Sequence, residues 1–141
     1  MKTLIIGELI NNNLSSGTLE ILSKATSLNL DAQVITVGID ENPSIGLDNC
    51  KQTYLKRKSD SLNLSKAVSK ISEIIKNEDI SLILGSSTYM CRDIIAGLSV
   101  DLNSSPVSNV IDFIIESGNV LTVNSINGGE SLYLSLIHIW R

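Results

Sequence analysis

Four small residues, Gly85-Ser86-Ser87-Thr88, form the part of this sequence best suited to hold a ligand. They follow a short apolar run at 81–84 and precede a segment with helical spacing at about 91–102. Open parallel sheets bind ligands beyond the carboxyl ends of their strands, where backbone N–H groups and helix N-termini attract phosphate. The loop matches neither GxGxxG nor GxxxxGK[ST]. It therefore has two interpretations: a weak phosphate loop, or a tight turn whose Ser or Thr caps the helix.

No other group of side chains indicates catalysis or metal binding. Arg92 and Asp93 open a helix on its polar side, where an aspartate suits the helix dipole. Cys50 and Cys91 have no CxxC partner, so neither spacing favours a redox or metal role. His138 is the only histidine and has no visible catalytic partner. We therefore predict no catalytic residue and no metal site.

The last eight residues, 134–141, contain the only His and the only Trp of the chain. Their sequence, LSLIHIWR, begins as the translation of a transposon-end sequencing adaptor, because CTG TCT CTT ATA CAC ATC encodes LSLIHI. We therefore expect 134–141 to be a non-native tail and the natural protein to continue differently after about Tyr133. The alternative is a genuine apolar last strand.

Composition excludes several classes of protein. A length of 141 residues suits one domain, and 43% hydrophobic with 18% charged residues is typical of a globular chain. The net charge of −4 argues against nucleic-acid binding, and the only basic cluster, at 56–58, is too small to form a binding face. No apolar run approaches the ~20 residues needed to span a bilayer, and no export signal is visible. We expect a cytoplasmic protein with reduced cysteines.

Apolar spacing predicts alternating strands and helices. Strands are predicted at 4–6, 33–37, 53–56 and 81–84, with a further strand opened by Pro106. Helices are predicted from Gly17, capped by Ser15 or Ser16, and at 64–75, capped by Ser65 or Asn63, besides the helix at 91–102. This order indicates βαβ units and hence a parallel sheet with right-handed crossovers.

After Pro106 the pattern changes. Turn signals at 116–119 and at Asn127-Gly128-Gly129 separate short β-rich runs, which indicates antiparallel hairpins. The predicted fold is therefore α/β: a three-layer parallel sheet flanked by helices, with antiparallel hairpin strands at its C-terminal edge.

Three stretches resemble the N-terminal domain of the alpha subunit of electron transfer flavoprotein, whose fold is Rossmann-like and similar to adenine-nucleotide hydrolases. They are KTLIIGE at 2–8 with Thr-Leu-Glu at 18–20, LILGSSTYMCRDIIAGLSVDLNSSPVSNV at 82–110, and LTVNSINGG at 121–129. The resemblance extends from Met1 to Tyr133. Asn109 and Asn124 stand where the family usually has Asp and Arg, and Cys91 stands where Gly is usual.

The resemblance implies a scaffold that dimerises with the beta subunit and binds no nucleotide. The full protein would hold FAD in a further C-terminal domain and shuttle electrons from acyl-CoA and other flavoprotein dehydrogenases. On this view the chain is a non-enzymatic fragment of an electron carrier.

Two other functions remain open. The chain could be a stand-alone ATP- or AMP-binding α/β domain resembling universal stress proteins or ATP pyrophosphatases, with Gly85, Ser86, Ser87 and Thr88 as its phosphate loop. It could also be a plain interaction module, which the sequence does not separate from the scaffold.

Overall fold

A parallel four-stranded sheet is the centre of the fold, in a computed structural model that describes residues 1–39, 46–58, 63–126 and 131–137. In chain order the elements are β1 (Lys2–Gly7), β2 (Leu9–Ile10), β3 (Asn13–Leu14), α1 (Ser16–Ser27), β4 (Asp31–Gly38), β5 (Lys51–Lys56), α2 (Ser65–Glu78), β6 (Leu82–Gly85), α3 (Tyr89–Asp101), β7 (Val110–Glu116), β8 (Asn119–Ile126) and β9 (Ser131–Ile137). The parallel sheet has the order β5-β4-β1-β6. This confirms the predicted α/β class.

The apolar run of β1 reflects coverage of the sheet on both faces. Successive side chains of a strand point to opposite faces. Ile5 accordingly packs in the cluster that includes the α1 residue Ala25, whereas Leu4 and Ile6 pack with α2 and α3. These three side chains of β1 are at most 1% exposed. No helix in the described ranges is long and apolar enough to cross a membrane.

Helices α2 and α3 lie on the same face of the sheet and approach each other closely at Gly97. A Cβ placed on Gly97 would lie 2.9 Å from both methyl carbons of Val68. Val68 is branched at Cβ and has few alternative rotamers, so it cannot readily move aside. The glycine therefore sets the distance between these two helices.

The helix ends agree only in part with the sequence prediction. Ser15 caps α1 as predicted, since its Oγ accepts the Thr18 N–H at 3.2 Å. At α2 the prediction is wrong: the N-cap position is Leu64, and the Asn63 side chain instead accepts the Ser65 N–H at 3.0 Å. Leu19, whose spacing predicted this helix, is 46% exposed. Helix α3 begins two residues before its predicted start.

The predicted strand at Pro106 is also wrong. Within the described residues β6 has only β1 as a neighbour, and the chain forms no strand between α3 and β7. Asn103 and Asn109 flank this segment with φ of 48° and 57°. These left-handed residues turn the chain away from the direction of β6. The last helix is therefore not followed by a parallel strand.

Strands β7, β8 and β9 form a separate antiparallel sheet, as the hairpin signals predict. Ser117 and Gly118 connect β7 to β8, and both have positive φ, which suits a tight hairpin turn. The predicted turn at Asn127-Gly128-Gly129 lies outside the described residues. Strand β9 crosses the predicted end of the natural sequence at Tyr133, and the non-native origin of 134–141 stays a prediction.

A small apolar cluster and an ion pair attach this hairpin sheet to β6 and α1. Phe113 and Val120 pack against Leu82 of β6. Lys24 of α1 lies 2.7 Å from the Asp112 carboxylate, and its Nζ is 5.9 Å from the centre of the Phe113 ring. The cation thus contacts both a carboxylate and an aromatic face of β7.

We expect Gly97→Ala to destabilise the protein by about 1–3 kcal/mol, although alanine favours a helix, because the new methyl group overpacks the α2–α3 contact. Guanidinium unfolding would measure the free energy. The matched background is Val68→Ala, in which the same Gly97→Ala change should cost little or stabilise, because the opposing methyl groups are gone. Equal costs of Gly97→Ala in both backgrounds would contradict this account of the helix contact.

Acid should weaken the attachment of the hairpin sheet. The hydrogen bonds from Lys24 and from the Phe113 N–H lower the pKa of Asp112. A carboxylate with a lowered pKa stabilises the folded state above its unfolded pKa, and this contribution is lost as the pH falls through the folded value. Because the pair is largely exposed, the effect should be at most about 0.5 kcal/mol. Stability measured from pH 6 to 2 should show a smaller decline for Asp112→Asn; an unchanged decline would contradict the role of the pair.

Candidate functional site

The place where open parallel sheets usually bind ligands lies between β1 and β6 in this fold. After β1 the chain passes to α1 on one face, and after β6 it passes to α3 on the other. Such a change of direction opens a crevice at the carboxyl ends of the two strands. The loop with Gly85, Ser86, Ser87 and Thr88 forms one side of this crevice. The residues between β1 and α1 form the other.

On the β1 side, a buried hydroxyl network ties the loop to the first turn of α1. The Glu8 N–H donates to Thr18 Oγ1 at 3.0 Å, and the Thr18 and Ser15 hydroxyls lie 2.9 Å apart. The Ser15 N–H in turn donates to the Glu8 carbonyl at 2.8 Å. Thr18 is fully buried. These hydroxyl groups therefore bond to their own chain.

On the β6 side, the four-residue loop behaves as a helix cap. Thr88 is the N-cap of α3, and its Oγ1 accepts the Cys91 N–H at 3.4 Å. The Ser86 hydroxyl donates to Cys91 Sγ at 3.6 Å, and that thiol donates to the Ile6 carbonyl at 3.5 Å. A Cβ at Gly85 would meet Ile95 Cδ1 at 2.7 Å. The glycine thus serves close packing of β6 against α3.

The two sides of the crevice approach each other closely. A Cβ built on Gly17, in the first turn of α1, would lie 3.2 Å from Ser86 Cβ. The crevice is therefore narrow at Gly17 and Ser86, and a larger side chain in place of the glycine would crowd it. Of the predicted loop, only Ser87 is an exposed residue.

One buried polar group has no partner. The Thr36 Oγ1, near the end of β4, makes no hydrogen bond among the described residues, and Thr36 is 1% exposed. Its methyl group is 3.0 Å from the position of a Cβ on Gly7. Thr36 thus fills a tight space with its methyl group while its hydroxyl remains unsatisfied.

A cavity also lies along the free edge of β6. It is a cleft of about 1220 Å³, walled by β6 and α3 on one side and by the segment 103–109 and β8 on the other. Apolar side chains such as Ile95, Leu102 and Val120 line it, and Arg92 lies at the end near Ser87. The sequence analysis did not predict this cleft, because it placed a strand at Pro106.

The other candidate residues do not assemble into a catalytic site. Arg92 and Asp93 are exposed on α3. Burial raises the pKa of the Cys50 thiol, which donates to the Ala32 carbonyl at 3.4 Å and is thus a poor nucleophile at neutral pH. Among the described residues no group of three or more His, Cys, Asp or Glu side chains could hold a metal. His138 lies outside the described residues.

Sequence reasoning identified Ser15 as a cap but missed Thr18, the residue that joins the two ends of the first loop. A serine at the N-cap followed by a threonine three residues later is a weak signal for such a pair of hydroxyls. The pairing with the Glu8 N–H depends on the return of the chain through β2 and β3, which no local pattern specified.

No protein-family model and no curated protein matches this chain.

The same substitution should have opposite effects at two buried threonines. Thr18→Val should destabilise the protein by about 1–3 kcal/mol, because the Glu8 N–H loses its acceptor. Thr36→Val should stabilise it by about 1 kcal/mol, because valine keeps the methyl packing and removes an unpaired hydroxyl. Thermal and guanidinium unfolding would measure both changes. Destabilisation of similar size at the two positions would contradict the assigned hydrogen bonding.

Proposed function

We propose that this chain is the N-terminal scaffold and dimerisation domain of an electron transfer flavoprotein alpha subunit. The observation that supports this function best is the narrow crevice between β1 and β6. A nucleotide carrier with this sheet would need that crevice open. Here a Cβ on Gly17 would come within 3.2 Å of Ser86 Cβ on the other side.

The hydrogen bonds at the crevice support the same conclusion. The Cys91 N–H at the start of α3 is bonded to Thr88, and the Thr18 N–H at the start of α1 is bonded to Ser15. Neither N–H is available to a phosphate without loss of the cap. These caps disfavour phosphate binding at the two N–H groups, which supports a scaffold over a nucleotide carrier. In the full protein FAD would belong to a further domain.

The outer face of the hairpin sheet offers a surface for the beta subunit. Along β7, Phe113 points inward and is 8% exposed, whereas the next residue, Ile114, is 44% exposed. Ile114 pairs with Leu121 of β8. Side chains directly opposite on an antiparallel pair share one face, so Ile114 and the half-buried Leu121 form an apolar pair on the outside of the sheet. Exposed apolar side chains at such a position favour protein–protein contact.

The function of the fragment would then be structural. Together with the beta subunit it would support the flavin domain, which accepts electrons from acyl-CoA and other flavoprotein dehydrogenases. No residue of this chain is assigned to electron transfer itself.

The proposal is tested by mixing the purified chain with an electron transfer flavoprotein beta subunit and measuring mass by light scattering after size exclusion. We expect a colourless chain that forms a one-to-one heterodimer. Ile114→Glu should weaken the heterodimer at least about tenfold, because a buried carboxylate at an interface is strongly unfavourable. The matched control is Leu19→Glu, which changes an equally exposed leucine on α1 and should leave assembly unchanged.

The alternative function, nucleotide binding, predicts a different experimental result. If the chain is a stand-alone nucleotide-binding domain, ATP or AMP at about 100 times its Kd would raise the free energy of unfolding by about 2.7 kcal/mol. A clear rise in melting temperature with either nucleotide, together with no heterodimer, would reject the scaffold proposal. Bound flavin in stoichiometric amount would reject it as well.

A further inference from the structure

Strand β6 has one unpaired edge. The Ser81 N–H donates to the Lys2 carbonyl at 3.0 Å, so Lys2 and, two residues further on, Leu4 direct their backbone groups to β6. In a parallel ladder a residue bonds to the two residues that flank its partner, and the partner of Leu4 is Ile83. Leu82 and Leu84 therefore bond to β1, and the backbone groups of Ile83 and Gly85 point away from it.

The outward backbone groups of Ile83 and Gly85 have no partner among the described residues. Strand β6 pairs with β1 alone, and no backbone or side-chain hydrogen bond from the other direction reaches these two residues. Proteins usually protect a free edge with Lys, Pro, a bulge or a covering segment. The four residues of β6, Leu-Ile-Leu-Gly, include none of these protective residues. The edge is thus chemically suited to bond another backbone.

The cleft of about 1220 Å³ gives this edge a defined shape. Its two walls, α3 on one side and the segment 103–109 with β8 on the other, flank β6. A single extended chain enters such a cleft, since neighbouring strands lie only about 4.8 Å apart. The apolar walls, including Ile95 and Leu102, suit apolar side chains of the incoming segment.

Charge identifies one end of the cleft. The charged residues that line it are Lys76, Asp79 and Arg92, which makes it locally basic in a chain of net charge −4. Lys76 and Asp79 lie near the start of β6, at the end of α2, whereas Arg92 lies near the end of β6. The Arg92 guanidinium forms no ion pair within the described part of the chain. It is therefore available to a carboxylate that the incoming segment carries.

We propose that the cleft beside β6 accepts an extended segment of another polypeptide as a fifth strand of the parallel sheet. The backbone of that segment bonds to Ile83 and Gly85, and an Asp or Glu side chain of the segment pairs with Arg92. This site shares Gly85, Ser86 and Ser87 with the loop after β6, but it uses neither a nucleotide nor the outer face of the hairpin sheet. It therefore does not depend on the proposed function.

The first test uses a capped, fluorescein-labelled pentapeptide of alternating valine and threonine that ends in glutamate, with a C-terminal amide. Fluorescence anisotropy with the 141-residue chain should show saturable binding. A glutamine version of the peptide should bind roughly two- to fivefold more weakly, as expected for an exposed ion pair. Arg92→Gln should bind both peptides equally, because the partner of the glutamate is gone.

Two matched controls separate the proposed contacts from non-specific attraction. Lys66→Gln removes a positive charge from α2 outside the cleft and should leave the preference for glutamate intact. Every second N–H of the bound peptide points to β6. N-methylation of those amides should abolish binding, whereas N-methylation of the other amides should not.

Hydrogen exchange locates the contact. The Ile83 and Gly85 amides should exchange fast in the free protein and become protected when the peptide is added. No peptide binding up to about 1 mM would overturn the proposal. It would also be overturned if those amides were already protected in the free protein, since the segment 103–109 would then occupy the edge itself. Equal loss of binding with both methylated peptides would overturn it too.

Discussion

The burial of β1 on all sides is the constraint on which this structure depends. Its backbone is bonded to β4 along one edge and to β6 along the other, and helices cover both of its faces. A buried backbone group without a partner is costly, so the strand exists only when both neighbours are in place. The narrow crevice, the free edge of β6 and the position of the hairpin sheet all follow from the way these neighbours are arranged around it.

Sequence patterns predicted the parts of the fold that depend on burial. The run at Leu4-Ile5-Ile6 predicted a strand covered on two faces, and the spacing of Ala67, Val68 and Ile71 predicted the inner face of α2. These patterns persist in the structure because removal of apolar side chains from water drives the fold. The strand at Pro106 failed for a different reason. Two asparagines with left-handed backbone conformations redirect the chain, and no local sequence pattern predicts that an asparagine will adopt this conformation.

The candidate site was less predictable than the fold. Local sequence identified Ser15 and the loop before α3 as caps, since capping depends on residues three positions apart. It did not identify the close approach of Gly17 to Ser86, which are distant in the chain. Nor did it identify the cleft beside β6, because that cavity results from the absence of an expected strand in the described structure. Sites built from long-range contacts can be identified only from the three-dimensional structure.

The position of β6 also has a consequence for synthesis of the chain. Thr3 pairs with Leu82, so β1 leaves the ribosome long before its second neighbour exists. At roughly 5–20 residues per second, the intervening chain takes on the order of 4–16 seconds to appear. During that interval one edge of the most apolar strand is uncovered, although β4 can already pair with the other. The nascent chain therefore passes through a stage at which chaperone binding competes with aggregation, and only the emergence of β6 ends it.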